Sequence, residues 1–377
     1  MKTGSHIFNL ALALALCVLT MACGNHGKRA DNPADETHEA KGLEIYRNGD
    51  CWVAKVISPT DSTQDLGVYI FPDSDENVVI PDIEGADIFP PSKRRSVMVY
   101  SSVYTSALKE LASQGIIKVA GDTRYMTDPY VTAGLRDGSI VDGGLQEEPN
   151  MERIIAAKPD MILVSHYDGM DPSKLEKSGI PIIYLRESSE QDPLGRAEWI
   201  KLLGLIAGKK EKADSIYNQV KERYLSLAKT AAGIQGDKPL VMTETMYEGS
   251  WFVPGGQSYA AKMIRDAGGR YIWDDDPSAG SLQMSFEAVL DKANEADIWL
   301  IKSFGKDLTL SDLEQQDSRY MLFKPAKTGG VWNADTQAVP LYEETPFHPE
   351  LLLQDYITIF HPGSLPGKEA RYFKPAR

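Results

Sequence analysis

Apolar positions along this chain change their period several times, and the changes divide it. Residues 7–19 are mostly apolar, with Ala11-Leu12-Ala13-Leu14-Ala15-Leu16 at the centre. Residues 24–42 carry almost no large apolar side chain and cannot bury enough surface to offset the entropy of ordering. Leu43-Glu44-Ile45-Tyr46 and Cys51-Trp52-Val53-Ala54-Lys55-Val56 then flank Asn48-Gly49, the signal of a β-hairpin with a type I′ turn. Val78-Val79-Ile80 reads as a further strand.

From Ser96 the pattern alternates between short apolar runs and helical spacing. Strands are expected at 97–100, 116–119, 161–164 and 180–185, with helices at 103–113, 150–158 and 172–177. The runs are continuously apolar, as parallel strands buried on both faces require. Two helices follow, at 197–206 and 209–232. In the second, Ile216, Val220, Tyr224 and Leu227 share one face. At 1.5 Å per residue it spans about 36 Å, enough to bridge two lobes. Alternation then resumes. Strands are expected at 240–242, 271–273, 298–301 and 330–332, and helices at 257–267, 286–292 and 349–360. The expected fold is α/β: two lobes, each a mostly parallel sheet covered by helices, joined by a single long α-helix, with an N-terminal β-hairpin extension.

Composition narrows the class. Hydrophobic residues at 42% and charged residues at 25% fit a globular chain and argue against disordered or multi-span membrane classes. A formal net charge of −14 makes a poor surface for phosphate backbones, so nucleic acid is not an expected partner. Three cysteines, Cys17, Cys23 and Cys51, build no disulfide framework.

Lys2, the apolar run and the small Ala22 before Cys23 read as a secretory signal. Leu19-Thr20-Met21-Ala22-Cys23 also resembles a bacterial lipoprotein signal, with Thr20 where Leu is more usual. That resemblance implies cleavage before Cys23 and lipidation of its thiol. Cys17 would be lost and Cys51 left as a lone strand thiol. Residues 24–42 would be a tether, with His26 and His38 exposed. Asp73 to Glu84 has a faint calcium-loop spacing, but Val78 occupies the position that needs glycine.

Nucleophile-elbow, zincin, CxxC, Walker A and GxGxxG motifs are all absent from the sequence. The histidines show no metal spacing; His348 and His361 stand at helix ends beside prolines. More informative are residues just after the expected strands, where α/β folds place ligands: His166, Arg186 and the run Lys302-Ser303-Phe304. Each could equally be a plain loop residue. The loop 246–259 holds Tyr247, Trp251, Phe252 and Tyr259 around Gly255-Gly256. Large aromatics in such a loop cover core, a partner or a flat ligand. Tyr104, Phe304 and Trp332 are further aromatic candidates.

The two halves share a faint repeat. Asn150-Met151-Glu152 and Ser285-Phe286-Glu287 each open a helix that leads through an aspartate into a buried strand. A carboxylate there offsets the helix macrodipole by about 0.3–1 kcal/mol. That accounts for one such glutamate but less well for a matched pair.

Taken in order, several segments carry a resemblance. They are Arg95-Ser96-Val97-Met98-Val99-Tyr100-Ser101-Ser102, Pro149-Asn150-Met151-Glu152-Arg153-Ile154 with Lys158-Pro159-Asp160, Ala267-Gly268-Gly269, Ser285-Phe286-Glu287-Ala288-Val289-Leu290, and Ala326-Lys327-Thr328-Gly329-Gly330-Val331-Trp332. Over about residues 93–363 the chain resembles the cobalamin/iron–siderophore group of ABC-transporter solute-binding proteins. The resemblance implies a lipid-anchored periplasmic monomer without cofactor or catalytic residues. It would hold a ferric siderophore, haem or cobalamin between its lobes and deliver it to an ABC permease. The family's docking acids match Glu152 and Glu287. Tyr104, Arg124, His166, Arg186, Trp251, Phe252, Tyr259, Lys302 and Phe304 are the expected ligand-binding residues. Among them Arg124, Arg186 and Lys302 would serve an anionic cargo. The expected segments are 1–22 (signal), 23–42 (tether), 43–92 (strand extension), 93–193 (lobe one), 194–236 (connecting helices) and 237–377 (lobe two). A secreted lipoprotein enzyme and a scaffold lipoprotein with a degenerate cleft are the rival readings.

Overall fold

The structure, a computed structural model, describes residues 39–58, 65–167 and 169–377. The apolar run 7–19, Cys17, Cys23, His26 and His38 lie outside the described residues.

Strands β1 (Leu43–Asn48), β2 (Cys51–Ile57), β3 (Asp65–Pro72) and β4 (Asp87–Ile88) form an N-terminal sheet in that order. Asn48 pairs with Cys51, so the hairpin turn is Gly49-Asp50, one residue beyond the expected dipeptide. Gly49 has φ 57°, which costs a residue without Cβ nothing. The sheet is larger than a hairpin because β3, absent from the sequence reading, pairs with β2 along seven residues. Val78-Val79-Ile80 is not a strand; Val79 is exposed.

One face of this sheet, with Ile45, Val56, Tyr69 and Phe71, joins the core of lobe one. The other face buries Cys51, Val53, Val68 and Ile70 under Val78 and Ile83. Burial raises the pKa of the Cys51 thiol, so this free cysteine is an inert core residue. The incoming chain is fastened by Glu190, which accepts from the Gly42 amide at 2.8 Å and the Trp199 indole at 3.1 Å.

Lobe one alternates strictly. Its elements are β5 (Val97–Val99), α1 (Ser102–Glu110), β6 (Ile117–Ala120), α2 (Pro129–Asp137), β7 (Val141–Asp142), α3 (Met151–Ala157), β8 (Met161–Ser165), α4 (Ser173–Glu176) and β9 (Ile182–Leu185). All pairs are parallel, in the order β7-β6-β5-β8-β9. Met161 to Val164 are fully buried, as their unbroken apolar run requires.

Helices α5 (Pro193–Glu198), α6 (Ile200–Ile206) and α7 (Lys210–Ala232) connect the lobes. Helix α7 is about 35 Å long at 1.5 Å per residue. Its N-terminal half places Ala213, Tyr217 and Val220 in the core of lobe one. Its C-terminal half places Tyr224 and Ala231 in the core of lobe two.

Lobe two begins with β10 (Leu240–Thr243), β11 (Met246–Tyr247), β12 (Ser250–Pro254), α8 (Tyr259–Asp266), β13 (Arg270–Tyr271), β14 (Ser281–Met284) and α9 (Phe286–Ala293). It continues with β15 (Ile298–Ser303), α10 (Leu310–Gln316), α11 (Lys324–Thr328), β16 (Val331–Asp335), α12 (Leu341–Glu344), α13 (Pro349–Phe360) and β17 (Lys374–Pro375). Its main sheet runs β13-β10-β15-β16-β17, parallel except for β17. In a small antiparallel sheet, β11-β12-β14, the first two strands occupy the region 246–259 read from sequence as a loop.

Candidate functional site

Parallel strands bring all their following loops to one edge of a sheet, and here both lobes carry an aromatic side chain at several of these positions. Tyr125 follows β6, Tyr167 follows β8, Tyr247 follows β10, Phe304 follows β15 and Tyr342 follows β16. Each is 45–66% exposed. Hiding such a ring stabilises by about 1.5–3 kcal/mol, so leaving five uncovered at strand ends forgoes stability unless something else covers them.

Two of these rings meet across the lobes. Tyr125 and Phe304 touch edge to face, with centroids 6.4 Å apart. The Arg124 guanidinium lies 4.6 Å from the Tyr125 ring centre. Arg124 and Phe304, both expected from sequence, thus sit together, linked by Tyr125, which the sequence reading missed.

Several buried polar side chains lie between the lobes, and the Arg196 Nε among them has no hydrogen-bond partner. Tyr104 is fully buried, its hydroxyl 2.8 Å from Ser165 Oγ and donating to Glu187 at 3.2 Å. Burial raises the Glu187 pKa, opposed by Arg196. Arg196 stacks 5.0 Å from the ring centre of Tyr259, whose hydroxyl donates to the Thr345 carbonyl at 3.4 Å. Burial pushes the Tyr259 phenol up to about 12. The expected ligand contact Tyr104 is therefore a structural residue with no exposed face, because its ring is enclosed by the core of lobe one.

Lys302 is ion-paired with Glu244. Burial alone would lower the lysine's pKa, but the adjacent carboxylate overrides it and raises it. Its charge is therefore largely neutralised within the fold. His166 is half-buried, its ring edge-on to Tyr184 at 5.9 Å.

Two further expected ligand contacts are corrected. Arg186 faces the N-terminal sheet: it donates to the Ile57 carbonyl at 2.7 Å, because its strand β9 lies beside β3. Trp251 is fully buried in an aromatic core with Phe286, Trp299, Tyr320 and Phe323. Residues alternate along β12, so Trp251 and Val253 point inward while Phe252 points outward and is 41% exposed. Trp332 packs against the core of lobe two.

Glu152 and Glu287 occupy the first turns of α3 and α9, capped by Asn150 and Ser285. Both are exposed. Each helix leads into a parallel strand, β8 or β15, so its N-terminus lies level with the strands' carboxyl ends. One carboxylate therefore stands on each lobe, at the cleft edge of its sheet. Glu287 is 3.4 Å from Arg319, which Asp317 holds at 2.7 Å. Glu152 makes no ion pair among the described residues.

Among the described residues no three of His, Cys, Asp and Glu are placed to hold a metal ion. Nor is any described helix long and apolar enough to cross a membrane.

Comparison with known proteins decides the family. The model of the family described as periplasmic binding protein matches residues 97–329, well over half the chain. The chain belongs to the periplasmic binding protein family. An uncharacterised lipoprotein of Methanocaldococcus jannaschii is 28% identical over 250 residues, covering 64% of this chain. The match spans 58% of that lipoprotein's length. A cobalamin-binding protein of Halobacterium salinarum is 22% identical over 265 residues, 70% of this chain and 69% of its own. A periplasmic haem-binding protein of Pseudomonas aeruginosa has the same fold, with a TM-score of 0.60 at 16% identity, over 75% of this chain and 98% of its own. The match to the family model begins at β5, so the N-terminal sheet is an addition to the fold the model covers.

Proposed function

We propose that this binding protein captures a ferric siderophore, haem or cobalamin between its lobes and delivers it to an ABC permease. The aromatic rim at the strand ends of both lobes carries this reading. Rings presented from two sides suit a broad conjugated or metal-chelate cargo, which they grip by stacking and dispersion. No bond is made or broken. Buried Tyr104 and Glu187 already hold one another, which suits support better than acid–base catalysis. Glu152 and Glu287 dock the loaded protein on the permease, and a lipid on Cys23 keeps it at a membrane facing the periplasm. Residues 43–92 brace lobe one.

The test is a thermal-shift screen of residues 24–377 against cyanocobalamin, haemin and a set of ferric siderophores. Cargo at about 100 times its Kd adds about 2.7 kcal/mol of stability, a shift of several degrees. One clear hit is expected. No shift with any of them would favour a ligand-free scaffold instead.

A second expectation concerns the rim. Tyr125→Ala and Phe304→Ala should each weaken that cargo by about threefold to tenfold, in line with a stacking contribution of roughly 0.5–1.5 kcal/mol. Both rings are about half exposed, so melting should move little. Calorimetric titration showing unchanged affinity in both variants would place the cargo elsewhere.

A further inference from the structure

The lobes are joined at a second place besides α7. Phe347, in the short link between α12 and α13, belongs to lobe two by sequence. Yet its side chain is 2% exposed within the core of lobe one. The next residue, His348, has one ring nitrogen 2.7 Å from Glu110 at the end of α1 and the other 3.0 Å from Glu350 on α13. An apolar plug and a bridging imidazole thus occupy adjacent positions. Beside them Thr127 of lobe one donates to Glu343 of α12 at 3.2 Å.

His348, Glu110, Glu350, Thr127 and Glu343 border a cavity of about 650 Å³ lined by both lobes and by Arg223 of α7. The charged groups around His348 come from every element that meets there. Lys109 and Glu110 come from α1, Asp128 from the start of α2, Arg223 from α7, Glu343 and Glu344 from α12, and Glu350 from α13. Several are already engaged: Lys109 pairs with Asp128 at 3.3 Å and Glu344 with Arg371 at 2.8 Å. Glu110 and Glu350 are the carboxylates that the imidazole holds. Neither ring nitrogen is left over, so the ring satisfies both only when it carries two protons and a positive charge.

We propose that the Phe347–His348 corner is a latch between the lobes, with His348 as the positioning residue that fixes their angle and so the spacing of Tyr125 and Phe304 across the cleft. A helix joining two lobes at one edge leaves them free to rock about it. A second attachment, offset from the helix, removes that freedom. The apolar half gives strength, and the ionic half gives direction, since the imidazole must lie between two carboxylates from opposite lobes.

The ionic half responds to pH. Burial alone would lower the His348 pKa; its hydrogen bonds to the Glu110 and Glu350 carboxylates outweigh it and raise it from 6.5 to about 9. The latch is therefore complete below about pH 6.5 and lost as pH rises through about 9.

The experiment needs no cargo, so it stands or falls separately from the proposed transport role. Spin labels are placed on the full chain through keto amino acids at Lys158 and Lys327, both exposed and on different lobes. Pulsed dipolar spectroscopy then reads the distance distribution. One narrow population is expected at pH 7.5, with a broad population taking over at pH 10. His348→Gln should be broad at both pH values, and Glu110→Gln should match it at pH 7.5. Far-UV circular dichroism checks that each variant is folded, and Glu110→Gln stands in should His348→Gln fail that check. A wild-type distribution unchanged between pH 7.5 and 10 would overturn the latch. So would a narrow His348→Gln distribution at pH 7.5, since the pH effect would then belong to another group.

Discussion

Reversing both exposed carboxylates, Glu152→Lys with Glu287→Lys, should abolish cargo delivery while leaving cargo affinity within about twofold. The expectation rests on the proposed docking role. Charge pairs at a protein interface couple by about 1.5–7 kcal/mol, and reversal turns attraction into repulsion, so a loss of delivery above roughly 100-fold is expected. Stability should suffer little. A lysine in the first turn of α3 or α9 opposes the macrodipole at a cost of about 0.3–1 kcal/mol per site. The single variants should differ. Glu287 already has Arg319 beside it at 3.4 Å, whereas Glu152 has no such neighbour among the described residues. An exposed pair of that kind is worth about 0–1 kcal/mol, which a permease arginine must displace at Glu287 alone. Glu152→Lys should therefore be the more damaging. Uptake assayed in cells that depend on this protein, beside titration of the purified variants, separates the two functions. Normal uptake by the double variant would move docking to another surface while leaving cargo capture untouched.

What was legible in the sequence follows the range of the forces involved. The period of apolar residues is local, so the runs at 161–164 and 298–301 and the long helix near 209–232 lie where the pattern places them. The matched positions of Glu152 and Glu287 were equally visible, because each depends only on its own helix start. Side-chain direction at the site was harder. Arg186 follows a strand end, as a cleft residue would, but β9 borders the N-terminal sheet, and the Ile57 carbonyl captures the guanidinium. No pattern around residue 186 announces a partner 129 residues away. Tyr125 was overlooked because Asp122-Thr123-Arg124-Tyr125 carries no period; its meaning comes from Phe304 on the other lobe. Phe347 shows the same limit, since only the folded chain reveals which core it enters.

Trp251 gives the largest effect expected on stability. Trp251→Ala should destabilise lobe two by about 3–5 kcal/mol, the usual cost of emptying a buried tryptophan site. The ring touches four other aromatics, with centroids 5.6–6.3 Å away, and none can move in without breaking its own contacts. Its indole N–H also donates to the Thr243 carbonyl at 3.0 Å, at the end of the interior strand β10. Removing the donor leaves that carbonyl unpaired, which costs about 1–3 kcal/mol by itself. Trp251→Phe should therefore lose roughly this smaller amount and Trp251→Ala the larger. For a domain of this size the alanine variant should melt about 6–20 °C below the parent. Cargo affinity of the folded fraction should not change, because the indole presents no surface to the cleft. Urea unfolding paired with titration at a temperature well below the transition distinguishes a core role from a binding role. A Trp251→Ala protein of full stability and lost affinity would return this residue to the cargo site, and would mean that β12 turns its other face inward.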